Sequence, residues 1–415
     1  MMRFYDTTEI SRSIGSLMAA FCLIALTPYL SAQVFSVTHS FQGPPDGANP
    51  FAGLILDYVG DLYGTTESGG GTNNGGTIFQ ITPGGTETVF YRFAGGNDGE
   101  HPGANLLLDS TGNLYGTTEG GGQFNVGTIF KYSASGQEIV LHTFTGGADG
   151  GTPKCHLIRD SQGNLYGTAE SGGAHGMGVV FKLDPGGNQT VLYSFKGGSD
   201  GAIPQAGLVR DSDSNLYGVT TTGGDVSCNA PYGCGTIFRL SRSAKEMVVH
   251  RFTGTNGDGA FPVGDLILDQ QGTLYGTTES GGDPSCFGGG GCGTVFKVSK
   301  SGHLLIIYRF KPTGGDGQFP EASLIRDANG NLYGTTYQGG STGFGTVFKV
   351  NNAGRETVLH SFDYLTDGAQ PISSLVRDSG GNLYGTTLID GGTGCGGLGC
   401  GTVFSVIPTG SSPGR

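Results

Sequence analysis

Apolar residues in this chain fall into short clusters separated by glycine, asparagine and aspartate, with no sustained 3.6-residue period beyond the first 32 residues. Four kinds of cluster recur. Segment a follows a proline and reads like Leu324-Ile325-Arg326-Asp327; segment b reads Asn331-Leu332-Tyr333-Gly334-Thr335-Thr336. Segment c reads Gly345-Thr346-Val347-Phe348-Lys349-Val350, and segment d Glu356-Thr357-Val358-Leu359-His360-Ser361-Phe362. All are short, and most are rich in β-branched or aromatic residues, which predicts strands. An Asp-Ser-x-Gly-Asn turn joins a to b, as at Asp160 to Asn164 and Asp378 to Asn382, and a second glycine turn such as Pro83-Gly84-Gly85 joins c to d. Both are hairpin chemistry, so the four strands of each unit are antiparallel.

The unit occurs seven times. The tyrosine of its Leu-Tyr-Gly triplet stands at Tyr63, Tyr115, Tyr166, Tyr217, Tyr275, Tyr333 and Tyr384, at intervals of 51 or 52 residues except for two of 58. Seven units of four strands without helices predict an all-β, seven-bladed β-propeller. The ends of the pattern are complementary. The last copy has a (Leu375 to Asp378), b (Asn382 to Thr387) and c (Gly401 to Val406) but no d, whereas Val34 to Phe41 is a d segment with no copy of its own. The N-terminal strand is therefore expected to complete the last blade, closing the ring and leaving no open sheet edge.

Composition adds context. Glycine supplies 82 of 415 residues and charged residues only 13%. With 36% hydrophobic residues in ordered clusters, that glycine load means many tight turns rather than disorder. Arg3 and Arg12 precede an apolar run, Ile14 to Leu30, ending at Ser31-Ala32-Gln33. This is the layout of a signal peptide cleaved after Ala32, the alternative being a single membrane anchor; Pro28 and the short run favour the leader. The expected organisation is leader 1–32, propeller 33–407 and a short disordered tail 408–415. The leader carries two basic and two acidic residues, so the mature net charge stays at −12. No basic footprint exists for nucleic acid.

Six cysteines form close pairs, Cys228/Cys234, Cys286/Cys292 and Cys395/Cys400. Small disulfides of an exported protein are expected, the alternative being zinc, for which the usual spacing and accompanying histidines are missing. Each would stabilise by only about 2 kcal/mol on the chain-entropy estimate, since the loops are short. They are therefore expected to be loop clamps rather than the framework of the fold. The two intervals of 58 contain the first two pairs, so the insertions fall in one kind of connection.

The repeated Leu-Tyr-Gly-Thr-Thr followed by Gly-Thr-Val-Phe resembles the tandem GloVer repeat of exported bacterial proteins often described as choice-of-anchor. The resemblance spans essentially the whole mature chain and implies export, often with a C-terminal sorting or anchoring module. The end of this sequence, Pro408 to Arg415, departs from that in having no hydrophobic tail. The Asp-x-x-Gly-Asn-hydrophobic-Tyr hairpin is also similar to that of NHL-type propellers, an analogy of fold only.

Candidate chemistry gathers where the d-to-a and b-to-c connections emerge on one face. Every d-to-a connection carries an aspartate: Asp46, Asp98, Asp149, Asp200, Asp258, Asp316 and Asp367. Four b-to-c connections open with Glu67, Glu119, Glu170 and Glu279, replaced elsewhere by Thr221, Tyr337 and Leu388. Together these predict an acidic face suited to cations, amines or polyhydroxylated ligands. The competing reading has each aspartate capping its own turn. Calcium is one candidate cation, although neither the nine-residue repeat nor the EF-hand loop is present. Gly197-Gly198-Ser199-Asp200-Gly201 fits a nucleophile-elbow pattern but aligns with Gly95 to Gly99 and Gly146 to Gly150, so the serine fills a repeat turn.

His39, His142, His250 and His360 take the segment-d position held elsewhere by Tyr91, Tyr193 and Tyr308, and read as packing residues. His303 sits in a c-to-d turn, and His175 has no repeat counterpart. His101 and His156, beside the prolines that enter segment a, are the candidate bases. Cys155 replaces small residues of the other copies and is expected to be buried. Tryptophan is absent. The sequence supports three functions: an extracellular module binding a protein or glycan, a polysaccharide-active hydrolase or lyase, or a structural envelope component. No cofactor is indicated, and the chain is expected to be secreted and monomeric.

Overall fold

In a computed structural model, residues 33–407 are described apart from 256 and 398; the expected leader and tail lie outside the described residues. Seven four-stranded antiparallel sheets follow one another along the chain. Strands a to d are Ile55–Leu56, Leu62–Thr66, Thr77–Ile81 and Glu87–Arg92 in blade 1, and Leu107–Leu108, Leu114–Thr118, Thr128–Tyr132 and Glu138–Thr143 in blade 2. Blade 3 comprises Ile158–Arg159, Leu165–Ala169, Val179–Leu183 and Gln189–Ser194, and blade 4 Val209–Arg210, Leu216–Thr220, Thr236–Leu240 and Glu246–Arg251. Blade 5 has Ile267–Leu268, Leu274–Thr278, Thr294–Val298 and Leu304–Arg309; blade 6 has Ile325–Arg326, Leu332–Thr336, Thr346–Val350 and Glu356–Ser361. Blade 7 takes Val376–Arg377, Leu383–Thr387 and Thr402–Ile407 from the end of the chain and Val34–Ser40 from its start. Val34 faces Ile407 and Ser40 faces Thr402, so the expected closure is present. No helix among the described residues is long and apolar enough to cross a membrane.

Strand a is shorter than the segment pattern suggests, pairing over two residues in every blade. Near the axis neighbouring blades crowd together, and the backbone just after the proline bonds across to them instead. Gly53 N–H donates to Asn105 Oδ1 (2.6 Å), and Asp265 N–H donates to Ser323 Oγ (2.8 Å). All seven c–d pairings carry a register irregularity at the same level, as between Ile78 and Phe79. Such bulges add twist.

The repeat motifs now acquire physical roles. The phenylalanine of strand c packs at a steep angle against the phenylalanine that ends segment d of the preceding blade. This pairing occurs at all seven boundaries, from Phe41–Phe79 to Phe362–Phe404, with centroids 5.0–5.4 Å apart and every ring fully buried. The geometry is favourable for aromatic quadrupoles and each ring removes a large apolar area from water. The glycine of Leu-Tyr-Gly seats that ring: a Cβ on Gly276 would stand 2.7 Å from Phe296, and Gly64, Gly116, Gly167, Gly218, Gly334 and Gly385 are placed alike. The tyrosine of the same triplet donates its hydroxyl to the a-to-b turn aspartate, at 3.0–3.2 Å in all seven blades. Adjacent blades are also clasped by strand-b threonines, as where Thr277 donates to Ala322 O (3.0 Å) and Thr386 to Ala52 O (3.1 Å).

Candidate functional site

On one face the d-to-a and b-to-c connections lie side by side and pair antiparallel in every copy. They form two-stranded ribbons in three blades, such as Gly259–Ala260 with Ser280–Gly281, and single bridges in four, such as Gly151 with Ser171. The residue before the entering proline is left-handed in all seven copies: Asn49, His101, Thr152, Ile203, Phe261, Phe319 and Gln370 have φ between +52° and +60°. For bulky or β-branched residues that conformation costs on the order of 1–3 kcal/mol. Two hydrogen bonds hold it. Phe261 N–H donates to Cys234 O in the preceding blade (2.9 Å), and Phe261 O accepts from Glu279 N–H in its own blade (3.0 Å). The same pair recurs around the ring, so each strained residue staples two blades directly before the proline and the side chains that follow it.

Those side chains form the mouth of the central channel. A cavity of about 390 Å³ is lined by Lys154, His156, Gln205, Asp265, Glu279 and Glu321, with Phe51, Val263 and Ile372 as apolar lining residues. Lys154 Nζ reaches Glu119 (3.5 Å) and Glu170 (3.4 Å). Burial opposes the Lys154 charge, but these carboxylates outweigh it and hold the ammonium above its usual range. His156 Nδ1 stands 3.3 Å from Asp265 Oδ2 across blade 4. Gly207 makes this possible, because a Cβ there would lie 2.8 Å from His156 O and 3.1 Å from Asp265 Oδ1. Burial acts to raise the Asp265 carboxyl, but His156 and the Gly207 N–H donor bring it below the ordinary value. Burial, reinforced by the Glu279 charge, pushes Glu321 up to about 7, and burial also raises Glu279. Glu119 is raised by burial, with Lys154 opposing and Glu67 adding to the shift.

The sequence candidates separate cleanly. Glu279 and His156 line the mouth, and Glu119 and Glu170 hold its lysine. His101 Nδ1 sits 2.9 Å from Glu67 O within blades 1 and 2. The seven aspartates stand apart from the mouth, each bonded within its own turn. Asp98 accepts from Ala94 N–H, Asp149 from Thr145 N–H, Asp200 from Lys196 N–H and Asp258 from Thr253 N–H. Asp46 accepts from Gln42 N–H, Asp316 from Lys311 N–H and Asp367 from Asp363 N–H. The strand-d tyrosines and histidines face these same carboxylates, as in Tyr193–Asp200 at 2.7 Å and His360–Asp367 at 2.7 Å, so the four histidines are polar partners as well as packing residues. Ser199 is an exposed residue of a short helical turn, Gly198–Asp200. Cys155 is free and buried; burial pushes its thiol up to about 12, and it accepts a hydrogen bond from Thr168 N–H.

The other six cysteines form the three expected disulfides, Cys228–Cys234, Cys286–Cys292 and Cys395–Cys400, with Cα atoms 5.5–5.6 Å apart. Besides closing their short loops, they reach into the core through the second member of each pair. Cys292 and Cys400 are fully buried core residues, as are Cys234 and the first-member Cys286. Cys292 packs among Val295 and Phe310, and Cys400 among Phe41 and Val403. The reason is position: each second cysteine stands two residues before strand c, where its carbonyl meets the strained residue of the next blade. Cys292 O accepts from Phe319 N–H (2.9 Å) and Cys400 O from Asn49 N–H (2.8 Å), as Cys234 O does from Phe261. These disulfides therefore anchor an inter-blade staple to the core, and none of the six cysteines lines the mouth.

Sequence reading passed over Lys154, Gln205, Asp265 and Glu321. They occupy the two variable positions of a Pro-x-small-x-Leu element, one on either side of the small residue. Aligning the seven copies at that element exposes them: the first position reads Phe51, Gly103, Lys154, Gln205, Val263, Glu321, Ile372, and the second Gly53, Asn105, His156, Gly207, Asp265, Ser323, Ser374.

Fold and site together define a closed seven-bladed propeller with a polar, blade-specific channel mouth. The chain belongs to the Gloeobacter/Verrucomicrobia repeat family, whose model matches residues 22–230 and 226–413. No curated protein matches it. Among solved structures it is similar to the extracellular domain of a putative hybrid two component system from B. thetaiotaomicron, at TM-score 0.58 and 12% identity, covering 92% of this chain and 40% of that one. A putative one component system from the same organism gives TM-score 0.54 and 10% identity over 88% and 39% of the two chains. A putative 6-phosphogluconolactonase from Bacteroides uniformis gives 0.49 and 16% over 77% and 86%. The chain thus spans about two fifths of the length of the first two, and these likenesses concern the fold alone.

Proposed function

We propose that this is an exported binding propeller whose channel mouth takes a small polyhydroxylated or amine-bearing ligand, such as a glycan end. The observation that carries this is the asymmetry of the mouth. Seven nearly equivalent blades place Lys154, His156, Gln205, Asp265 and Glu321 around one cavity, at positions where most other copies supply glycine, serine or apolar residues, and add the repeat glutamate Glu279. Carboxylates and amides recognise hydroxyls and ammonium groups, and Phe51, Val263 and Ile372 add apolar surface for a sugar ring. The three disulfides support an oxidising, extracytoplasmic location, in keeping with the leader-like residues 1–32.

The test is a thermal-shift and calorimetric screen of polyols, amino sugars, oligosaccharides and polyamines. A ligand of the mouth raises the melting temperature of the wild-type protein, and Glu279→Gln with Glu321→Gln removes the shift without lowering the unliganded value. A shift that survives this double change, or none with any compound, sinks the proposal. One observation favours a second reading, an enzyme acting on an extracellular polysaccharide. His156 and Asp265 form a base-like pair, while Glu321, held near 7, is suited to donate a proton. Release of new reducing ends, abolished in His156→Ala, would distinguish it from simple binding.

A further inference from the structure

At each blade boundary the outer strands repeat a three-residue contact remote from the channel. It combines the His or Tyr near the end of strand d, the aspartate of the following loop, and a residue at the start of strand d in the next blade. At the boundary of blades 6 and 7, for example, His360 bonds Asp367 and stacks on Phe35 with centroids 3.7 Å apart. Between blades 2 and 3, His142 faces Asp149 at 3.4 Å and Gln189 Nε2 donates to Asp149 O at 2.8 Å. Where the first partner is tyrosine, the third is glutamate: Tyr91 with Glu138, Tyr193 with Glu246, Tyr308 with Glu356. Where it is histidine, the third is glutamine, leucine or phenylalanine (Gln189, Leu304, Phe35), with one exception. At the boundary between blades 7 and 1 the set is His39, Asp46 and Glu87.

That exception places three metal-ligating groups together. One donor atom from each lies within 4.8 Å of the other two, the only such group among the described residues. His39 Nε2 stands 3.4 Å from Asp46 Oδ2. Two ligands held at about 2.0–2.1 Å by a tetrahedral ion stand roughly 3.3 Å apart, so this spacing already suits one. His39 Nε2 and Glu87 Oε1 are buried atoms with no hydrogen-bond partner, as are the equivalent His142, His250, Glu138, Glu246 and Glu356 atoms, but only at this boundary do a histidine and a glutamate of that kind meet at one aspartate, where a cation would relieve both. The Asp46 carboxylate is oriented by Gln42 N–H (3.0 Å) and Gly47 N–H (2.7 Å), the outer-shell support that ligating carboxylates use.

We propose that His39, Asp46 and Glu87 bind one divalent transition metal of the zinc type, cross-linking the N-terminal strand to blade 1. An imidazole with two carboxylates suits zinc, whereas calcium prefers six or more oxygens. The site would then fasten the strand that closes the ring at the boundary where chain start and repeat array meet.

Zinc chloride is titrated into chelator-treated full-length mature protein by calorimetry, with melting temperature measured in parallel. The wild type is expected to bind one equivalent and to melt higher with zinc. Glu87→Gln, which copies the natural Gln189 arrangement and so should fold, is expected to weaken binding by about tenfold or more. Gln189→Glu, which rebuilds the trio at the boundary of blades 2 and 3, is expected to add a second equivalent. The proposal is overturned by absence of saturable zinc binding to the wild type, by unchanged stoichiometry and affinity in Glu87→Gln, by a single equivalent in Gln189→Glu, or by a preference for calcium over zinc.

Discussion

Gly276 shows how much of this fold is decided at a single Cα. The Phe296 ring occupies the space where a side chain would begin, 2.7 Å from a Cβ on that glycine. Gly276→Ala should therefore overpack the blade and lower stability by roughly 1–3 kcal/mol in urea unfolding. The seven-fold recurrence of this glycine is a packing demand, not a turn: it sits inside strand b, and it is placed opposite the strand-c phenylalanine in each blade. The sequence makes the glycine visible but not its reason, because the ring that needs the space comes from another strand. Lys154, Asp265 and Glu321 were obscure for the opposite cause. Their meaning lies in converging from blades 3, 5 and 6, which no local spacing reveals.

Within the strands, polar and apolar pairs exchange as units. The last residue of strand b and the first of strand c are threonines whose hydroxyls bond at 2.8–2.9 Å in six blades. Blade 3 has Ala169 and Val179 instead, both fully buried. Thr278→Ala alone should cost about 1–3 kcal/mol, because Thr294 Oγ1 keeps its burial but loses this partner. Combining it with Thr294→Val should recover most of that loss, which a double-mutant cycle on urea midpoints would measure.

The opening residues of the d strands carry a pH dependence. Burial, reinforced by Asp98, Asp200 and Asp316 respectively, pushes Glu138, Glu246 and Glu356 up to about 7. Each also has one buried oxygen without a partner. The unfolded chain releases these protons near the ordinary glutamate value of about 4.3, so between there and about 7 the native state binds more protons than the unfolded one. Their contribution favours folding at the acid end of that window and fades as pH rises through about 7. Urea midpoints should fall between about pH 5 and pH 8, and the triple Gln variant should show a flatter profile; an unchanged slope would mean these carboxyls ionise normally.

For the whole molecule, closure is the decisive contact. Residues 34–40 pair along Thr402–Ile407 and bring Phe41 against Phe79 and Phe35 against Phe362. Deleting residues 33–41 would strip blade 7 of its outer strand, bare a sheet edge and remove one phenylalanine from the inter-blade series. The truncated protein should aggregate or unfold far more readily than the wild type on size-exclusion chromatography. The disulfides constrain the unfolded chain less, since each closes a loop only five or six residues apart in sequence within a single b-to-c connection. What they add is local: Cys234, Cys292 and Cys400 hold the carbonyls that staple one blade to the next.

The amino-acid sequence alone determined the number of blades, their strands and turns, the three cysteine pairs and the partnership of the first strand with the last blade. These follow from local pattern and from counting copies, because a blade's strands are joined by short turns and each repeat states its own fold. Tertiary structure decided what the repeated residues do and where the unrepeated ones meet. It assigned the loop aspartates to their own turns and the strand-d histidines to those aspartates, and it sank Cys292 and Cys400 into the core. It also gathered Lys154, His156, Asp265, Glu279 and Glu321 at one mouth, and His39, Asp46 and Glu87 at one boundary. Closure brings together residues from blades far apart in the chain, and a distance across a ring is not written in the spacing along it.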